Sequence, residues 1–204
     1  RAAFYPGSEF SIPAFFATAQ LLLAAGFAWS CWRISRAAAW LVAALACAYM
    51  GLDELLMIHE RVGQLLLSSG WINTDGSTSF SIGNWRSFLW ILVFVPLAVA
   101  LGLWLFSAFR RVLDGPELGL LVLAAGLFLT GAVLFETVQA TGAAYRPDWW
   151  QSTAGQLNLI AEEWLETLGV TVAVFVFSRR WWRYSMVAKK GQETVSPLLV
   201  YSRG

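Results

Sequence analysis

Residues 37–61 read AAAWLVAALACAYMGLDELLMIHER, and the reading of this stretch decides the fold. It opens as a run without a single charge from Ala37 to Leu52 and then delivers Asp53, Glu54, His59, Glu60 and Arg61; His59 is the only histidine in the protein. An α-helix rises ~1.5 Å per residue, so crossing a hydrocarbon core of ~30 Å takes about 20 residues. The stretch is therefore read as a transmembrane helix that carries its acids toward one membrane surface.

Composition agrees. Apolar residues make up 58% of the chain and charged residues 13%, with a mean hydropathy of +0.59. A soluble domain holds roughly 45–50% apolar and about 25% charged residues. No soluble domain fits between the apolar runs, and the net charge of +1 leaves no electrostatic footprint for nucleic acid. Cys31 and Cys47 both lie in apolar runs, where neither a zinc site nor a structural disulfide is expected. The chain starts at Arg1, without Met, which leaves room for a preceding segment; no signal-peptide pattern is visible.

Working outward, the pattern predicts an all-α, polytopic transmembrane bundle: one domain over 1–204, with five spans at about 12–32, 37–58, 87–109, 117–140 and 157–178. Helix is expected to continue past the second span to about Leu67. Pro96 marks a kink in the third span. Polar loops are expected over Ser68–Asn84 and Thr141–Gln156, and a polar cytoplasmic tail over 184–204. Arg33, Arg36, Arg110, Arg111, Arg179, Arg180, Arg183, Lys189, Lys190 and Arg203 fall on one side of this arrangement. Arg1, Arg61, Arg86 and Arg146 fall on the other, so the fourteen basic residues divide ten to four. The positive-inside rule then puts the N-terminus outside and the C-terminus inside. Trp29, Trp32, Trp40, Trp104, Trp181 and Trp182 read as an inner aromatic belt, and Trp71, Trp85, Trp149 and Trp150 as an outer one. Small-residue pairs four apart, such as Gly126 with Thr130 and Gly169 with Ala173, suit close helix approach in lipid.

The acids inside the spans carry the functional question. Counted from the inner ends, Asp53 and Glu54 lie ~24–26 Å up, Glu136 ~28 Å, and Glu166, Glu163 and Glu162 ~18–24 Å. All six belong to the outer half, where one ionised carboxylate costs ~2.5–3.5 kcal/mol on insertion scales. The acids admit three readings. Asp53 or Glu54, with Glu136, Glu163 and Glu166, could hold a divalent metal; all-oxygen ligands suit Mg, Ca, Mn or Fe, but the Glu-x-x-His pairs of di-iron bundles are missing. The acids could relay protons or cations. Or they could be charge partners of Arg61, Arg86 and Arg146 that fix how helices dock.

On a continuous helix Asp53, Met57, Glu60 and Gln64 share one face and His59 points well away from Asp53. His59 then reads as a packed, hydrogen-bonded residue or as a ligand to the metal of a tetrapyrrole. Met57, Trp164 and the Phe-rich third span read as packing. Asp53-Glu54-Leu55 and Glu162-Glu163-Trp164-Leu165 echo each other on oppositely running helices, as in an inverted repeat.

The series Leu52-Asp53-Glu54, His59-Glu60, Glu136 and Glu162-Glu163-x-x-Glu166-x-x-Gly169 resembles a pattern in small multi-pass bacterial membrane proteins of unknown function. The resemblance implies a bacterial source and names no activity; with the multi-pass pattern, the expected location is the bacterial inner membrane. From the residues, two functions are expected. The first is a non-catalytic accessory subunit, docking in the bilayer against other subunits of a larger, for instance energy-transducing, complex. The alternative is a membrane protein whose outer acids bind a divalent cation or relay protons, with metal-dependent catalysis in reach.

Overall fold

A computed structural model describes residues 12–68, 90–146 and 148–200, and every regular element among them is helical. In chain order these are α1 (Ile12–Ser35), α2 (Ala38–Leu56), α3 (Ile58–Ser68), α4 (Ile91–Phe109), α5 (Gly115–Leu129), a π-helical segment (Thr130–Phe135), α6 (Glu136–Tyr145), a short 3-10 turn (Trp149–Gln151) and α7 (Thr153–Val200). Among the described residues, three stretches are long and apolar enough to cross a membrane: Pro13–Ser35, Ala38–Leu56 and Gly115–Ala143. Helix α4 is apolar over the shorter Val93–Phe109.

Several boundaries differ from the sequence reading. The second helix stops at Leu56 and a separate α3 begins at Ile58. The expected loop at 141–156 is largely helical. Helix α6 runs to Tyr145, and Ser152 caps α7 by accepting the backbone N–H of Gly155 at 3.1 Å. The tail expected from 184 onward continues α7. The loop expected over 68–84 lies outside the described residues, apart from Ser68, as do Trp71, Trp85 and Arg86.

Helix α7 is the central element. It packs on α1 along one side and on α5 and the π segment along the other, while α4 sits outside against α2 and α5. The core joins Ala24, Ala28 and Cys31 of α1 to Ala39, Trp40, Ala43 and Ala44 of α2, and to Phe109, Leu113, Val176 and Phe177. The alanines let the α1 and α2 backbones come close, and the aromatics fill the remaining volume. Trp40 corrects the belt assignment. It is fully buried, edge-on to Phe109 at 4.8 Å and to Phe177 at 5.3 Å. Trp149 is also buried, its ring lying against Gly142. Trp164, expected to pack, is instead 71% exposed.

One end of the bundle is locked by charge. Glu117, in the first turn of α5, is 3% exposed. Its Oε1 lies 3.0 Å from Arg183 Nη1 and 3.8 Å from Arg179 Nε, and its Oε2 accepts from Arg180 Nη1 at 3.2 Å. Asp114 stands at the N-cap of α5 but its carboxylate turns to α7, taking Arg183 at 2.6 Å and Arg180 at 3.4 Å. Arg180 also donates to the carbonyl of Val112. The hydrogen bond from Arg183, helped by Arg180, holds the Asp114 carboxyl below its ordinary value of 3.8. A lowered folded value means the contribution is complete above the ordinary carboxylate range and is lost as pH falls through the lowered one. Acidification below about pH 4 is thus expected to loosen the α4–α5 turn. Amide protection factors across residues 110–118, taken relative to the intrinsic exchange rate at each pH, should fall there in the wild type and stay level in Asp114→Asn.

Candidate functional site

A cavity of about 760 Å³ opens between α2, α4, α5 with the π segment, α6 and α7. Asp53, Glu54, Glu136, Glu162, Glu163 and Glu166 all line it, together with His59, Gln139 and an apolar wall that includes Tyr49, Phe94 and Phe128. Three separate stretches of sequence thus meet at one level of the bundle.

The α2–α3 break positions the first group. Met57 adopts the left-handed conformation, φ 51° and ψ 44°, and its N–H donates to the carbonyl of Asp53 at 2.7 Å. This conformation costs roughly 1–2 kcal/mol at a residue with a Cβ. The Asp53 carboxylate helps to offset it by accepting the backbone N–H of His59 at 2.8 Å on one oxygen, while the other lies 2.7 Å from His59 Nδ1. The expectation that His59 points away from Asp53 is therefore corrected. It assumed an unbroken 100° step per residue, and the left-handed Met57 swings the following turn back onto the acid. His59 also meets the ring of Trp90 edge-on at 4.9 Å, and the Trp90 indole N–H donates to Glu136 Oε1 at 3.2 Å.

The π segment positions the second and third groups. One extra residue per turn widens the helix and rephases the turns beyond it, a device frequent at functional sites. It places Glu136 and Gln139 toward α7, where Gln139 donates to Glu162. Asn158 of α7 reaches back to the carbonyl of Phe135 at 3.0 Å. Gly131 makes the approach feasible: a Cβ there would stand 2.7 Å from Glu166 Cγ and 2.9 Å from the carbonyl of Glu162.

Two of the basic partners expected for these acids, Arg61 and Arg146, lie elsewhere, and the third, Arg86, is outside the described residues. Arg146 pairs with Asp148 at 3.6 Å on the exposed side, and Arg61 is exposed. Among the described residues no Lys or Arg pairs with Glu54, Glu162, Glu163 or Glu166. Nor, among the described residues, do three His, Cys, Asp or Glu side chains gather as metal ligands do. The acids of the expected metal set share a cavity wall and not a closed ligand sphere. Reading the sequence alone missed Trp90, Gln139 and Gly131. The break at Met57 carries no glycine or asparagine to announce it.

A family model described as "Domain of unknown function (DUF8692)" matches residues 1–181, which include every residue lining this cavity. No curated protein and no solved structure matches the chain.

Proposed function

The chain belongs to that family, and we propose that it is an integral membrane protein that binds a cation in its carboxylate-lined cavity. In this reading α1, α2, α4, the α5–α6 unit and α7 are five spans, N-terminus outside and C-terminus inside, in a bacterial inner membrane. The ten-to-four division of basic residues supports the orientation. The cavity then opens toward the outer leaflet.

One observation carries the proposal: six carboxylates from three helical regions line one cavity, and four of them have no Lys or Arg partner among the described residues. Carboxylates withdrawn from water are stabilised by protons or by a positive ligand, and intramembrane acids of this kind mark ion sites. The room favours a cation that keeps part of its hydration shell. Mg²⁺ is commonly held through one or two carboxylates and several waters, which needs no group of three protein ligands.

The test is metal binding by the chelator-treated, detergent-purified chain, titrated with MgCl₂ and MnCl₂ beside Glu163→Gln and Glu166→Gln. Saturable binding is expected in the wild type, at least tenfold weaker in each variant, with about 2.7 kcal/mol of stabilisation at a hundred times Kd. Absence of binding in a folded wild type sinks the cation reading.

A docking subunit is the second reading. The outer face of α4 supports it, with Val99 51%, Leu103 66% and Phe106 42% exposed. It gains if the titration is blank and mild extraction recovers the chain in a stoichiometric complex.

A further inference from the structure

The arginines at the locked end of the bundle fall into two sets. Arg179, Arg180 and Arg183 of α7 are paired with Asp114 and Glu117, two acids against three arginines, so this cluster keeps a single positive charge. Arg33, Arg36, Arg110 and Arg111, at the α1–α2 turn and the end of α4, are exposed, and among the described residues none of them has an acidic partner. Most of the unpaired arginine charge at this end therefore lies on one flank.

That flank contains a groove of about 320 Å³ between the first turn of α2 and the last turns of α4, walled by Ala37, Ala38, Ala39, Trp104, Ser107 and Arg111 among others. Its floor is small and apolar. Arg111 lines it, Arg36 immediately precedes Ala37, and Arg110 adjoins Arg111. The guanidinium carbons of Arg36 and Arg110 lie over the rings of Trp32 and Phe106 at 5.3 and 5.8 Å, within cation–π range, so aromatic rings hold both arginines beside the groove. The α2 N-terminus has no side-chain cap, so its first N–H groups add positive partial charge beside the groove. Trp104, 46% exposed, suits the boundary between headgroup and acyl chain.

We infer that this groove seats the headgroup of an anionic phospholipid, its phosphate held by Arg111 with Arg36 and its acyl chains running down the exposed face of α4. Charge complementarity selects the occupant: a zwitterionic lipid brings its own cation to a flank that already has four, whereas basic pockets between membrane helices take anionic headgroups. The inference rests on the membrane location of the chain and not on the cation cavity, which lies near the other end of α2.

The test is native mass spectrometry of the delipidated full chain titrated with phosphatidylglycerol, phosphatidylcholine or inorganic phosphate. Phosphatidylglycerol is expected to bind at least tenfold more tightly than phosphatidylcholine. Arg36→Gln/Arg111→Gln should abolish that preference, and Arg61→Gln, in α3, should keep it. Ala38→Trp fills the groove without changing charge and should lower phosphatidylglycerol affinity as much as the double variant does. Equal binding of the two lipids overturns the inference. So does a full preference in a folded Ala38→Trp protein, which would assign selectivity to the open basic rim. Competition by inorganic phosphate at equal concentration would make the site one for a soluble anion. Each lipid readout is separate from metal titration of the same preparations, so failure here and failure of the cation reading are distinguishable.

Discussion

Glu117→Ala is expected to destabilise the protein by roughly 3 kcal/mol, the lower end of what breaking a buried ion pair costs. The acid is 3% exposed and faces three guanidinium groups of α7. Removing it leaves Arg180, whose side chain is only 15% exposed, with Asp114 as its one remaining acid, itself 52% exposed. Arg179 and Arg183 are 49% and 39% exposed and recover solvation, which holds the loss below the top of the range. Arg179→Gln should then cost under about 1 kcal/mol, because it deletes the longest and most exposed of the three contacts. Glu117→Gln should fall between, since it keeps the shape and one acceptor but not the charge. Unfolding of the detergent-solubilised chain by SDS orders the three. Salt should change the order little, as buried pairs are weakly screened. A loss below about 1 kcal/mol for Glu117→Ala would mean that apolar packing alone docks α5 on α7.

This cluster marks the limit of the sequence reading. Arg179, Arg180 and Arg183 were legible as charges at a span end, and the span itself was legible from hydropathy. Their partners were not. Glu117 reads as the first residue of the fourth span, and only the fold brings that turn against α7, some sixty residues on. The same limit applies at the cavity. That the acids of three stretches lie at one level follows from ~1.5 Å per residue. That Asp53 meets His59 does not, because a left-handed Met57 has no local signature and is held by the Asp53 side chain itself. Trp40 was misplaced for a related reason. Proximity to a helix end suggests an interfacial anchor, but the neighbouring alanines and facing phenylalanines make the spot a core. Among the small residues, spacing picked out Gly169 but did not separate it from Gly26 and Gly126, and it passed over Gly51 and Gly131. Gly26 and Gly126 have nothing near the place of a Cβ, whereas Gly51, Gly131 and Gly169 sit against a neighbouring helix.

That last difference sets the second large effect. Gly169→Ala is expected to destabilise and Gly126→Ala to stabilise, although both exchange a helical glycine for the best helix former. The exchange by itself favours the helix by about 0.8–1 kcal/mol. At Gly126 nothing opposes it, as no atom lies within 4 Å of the new methyl group. At Gly169 the methyl would stand 2.7 Å from the carbonyl oxygen of Ala124 and 2.8 Å from the amide nitrogen of Phe128. Both are backbone atoms of α5 and cannot rotate aside, so α7 must shift as a body. Overpacking of this kind costs about 1–3 kcal/mol, leaving a net loss of up to ~2 kcal/mol, and Gly169→Leu should exceed it. The shift would also reach the cavity, because Glu162, Glu163 and Glu166 lie within two turns of Gly169 on the same rigid helix. Gly169→Ala should therefore weaken cation binding as well as stability, whereas Gly126→Ala leaves binding alone. Gly131→Ala, whose methyl would press on Glu166 and on the carbonyl of Glu162, should lose more binding for a given loss of stability, since it acts at the site directly. Paired SDS-unfolding and MgCl₂ titrations of the three variants decide this. Should Gly169→Ala match Gly126→Ala in both, the α5–α7 approach is slack, and the π segment alone must place the carboxylates.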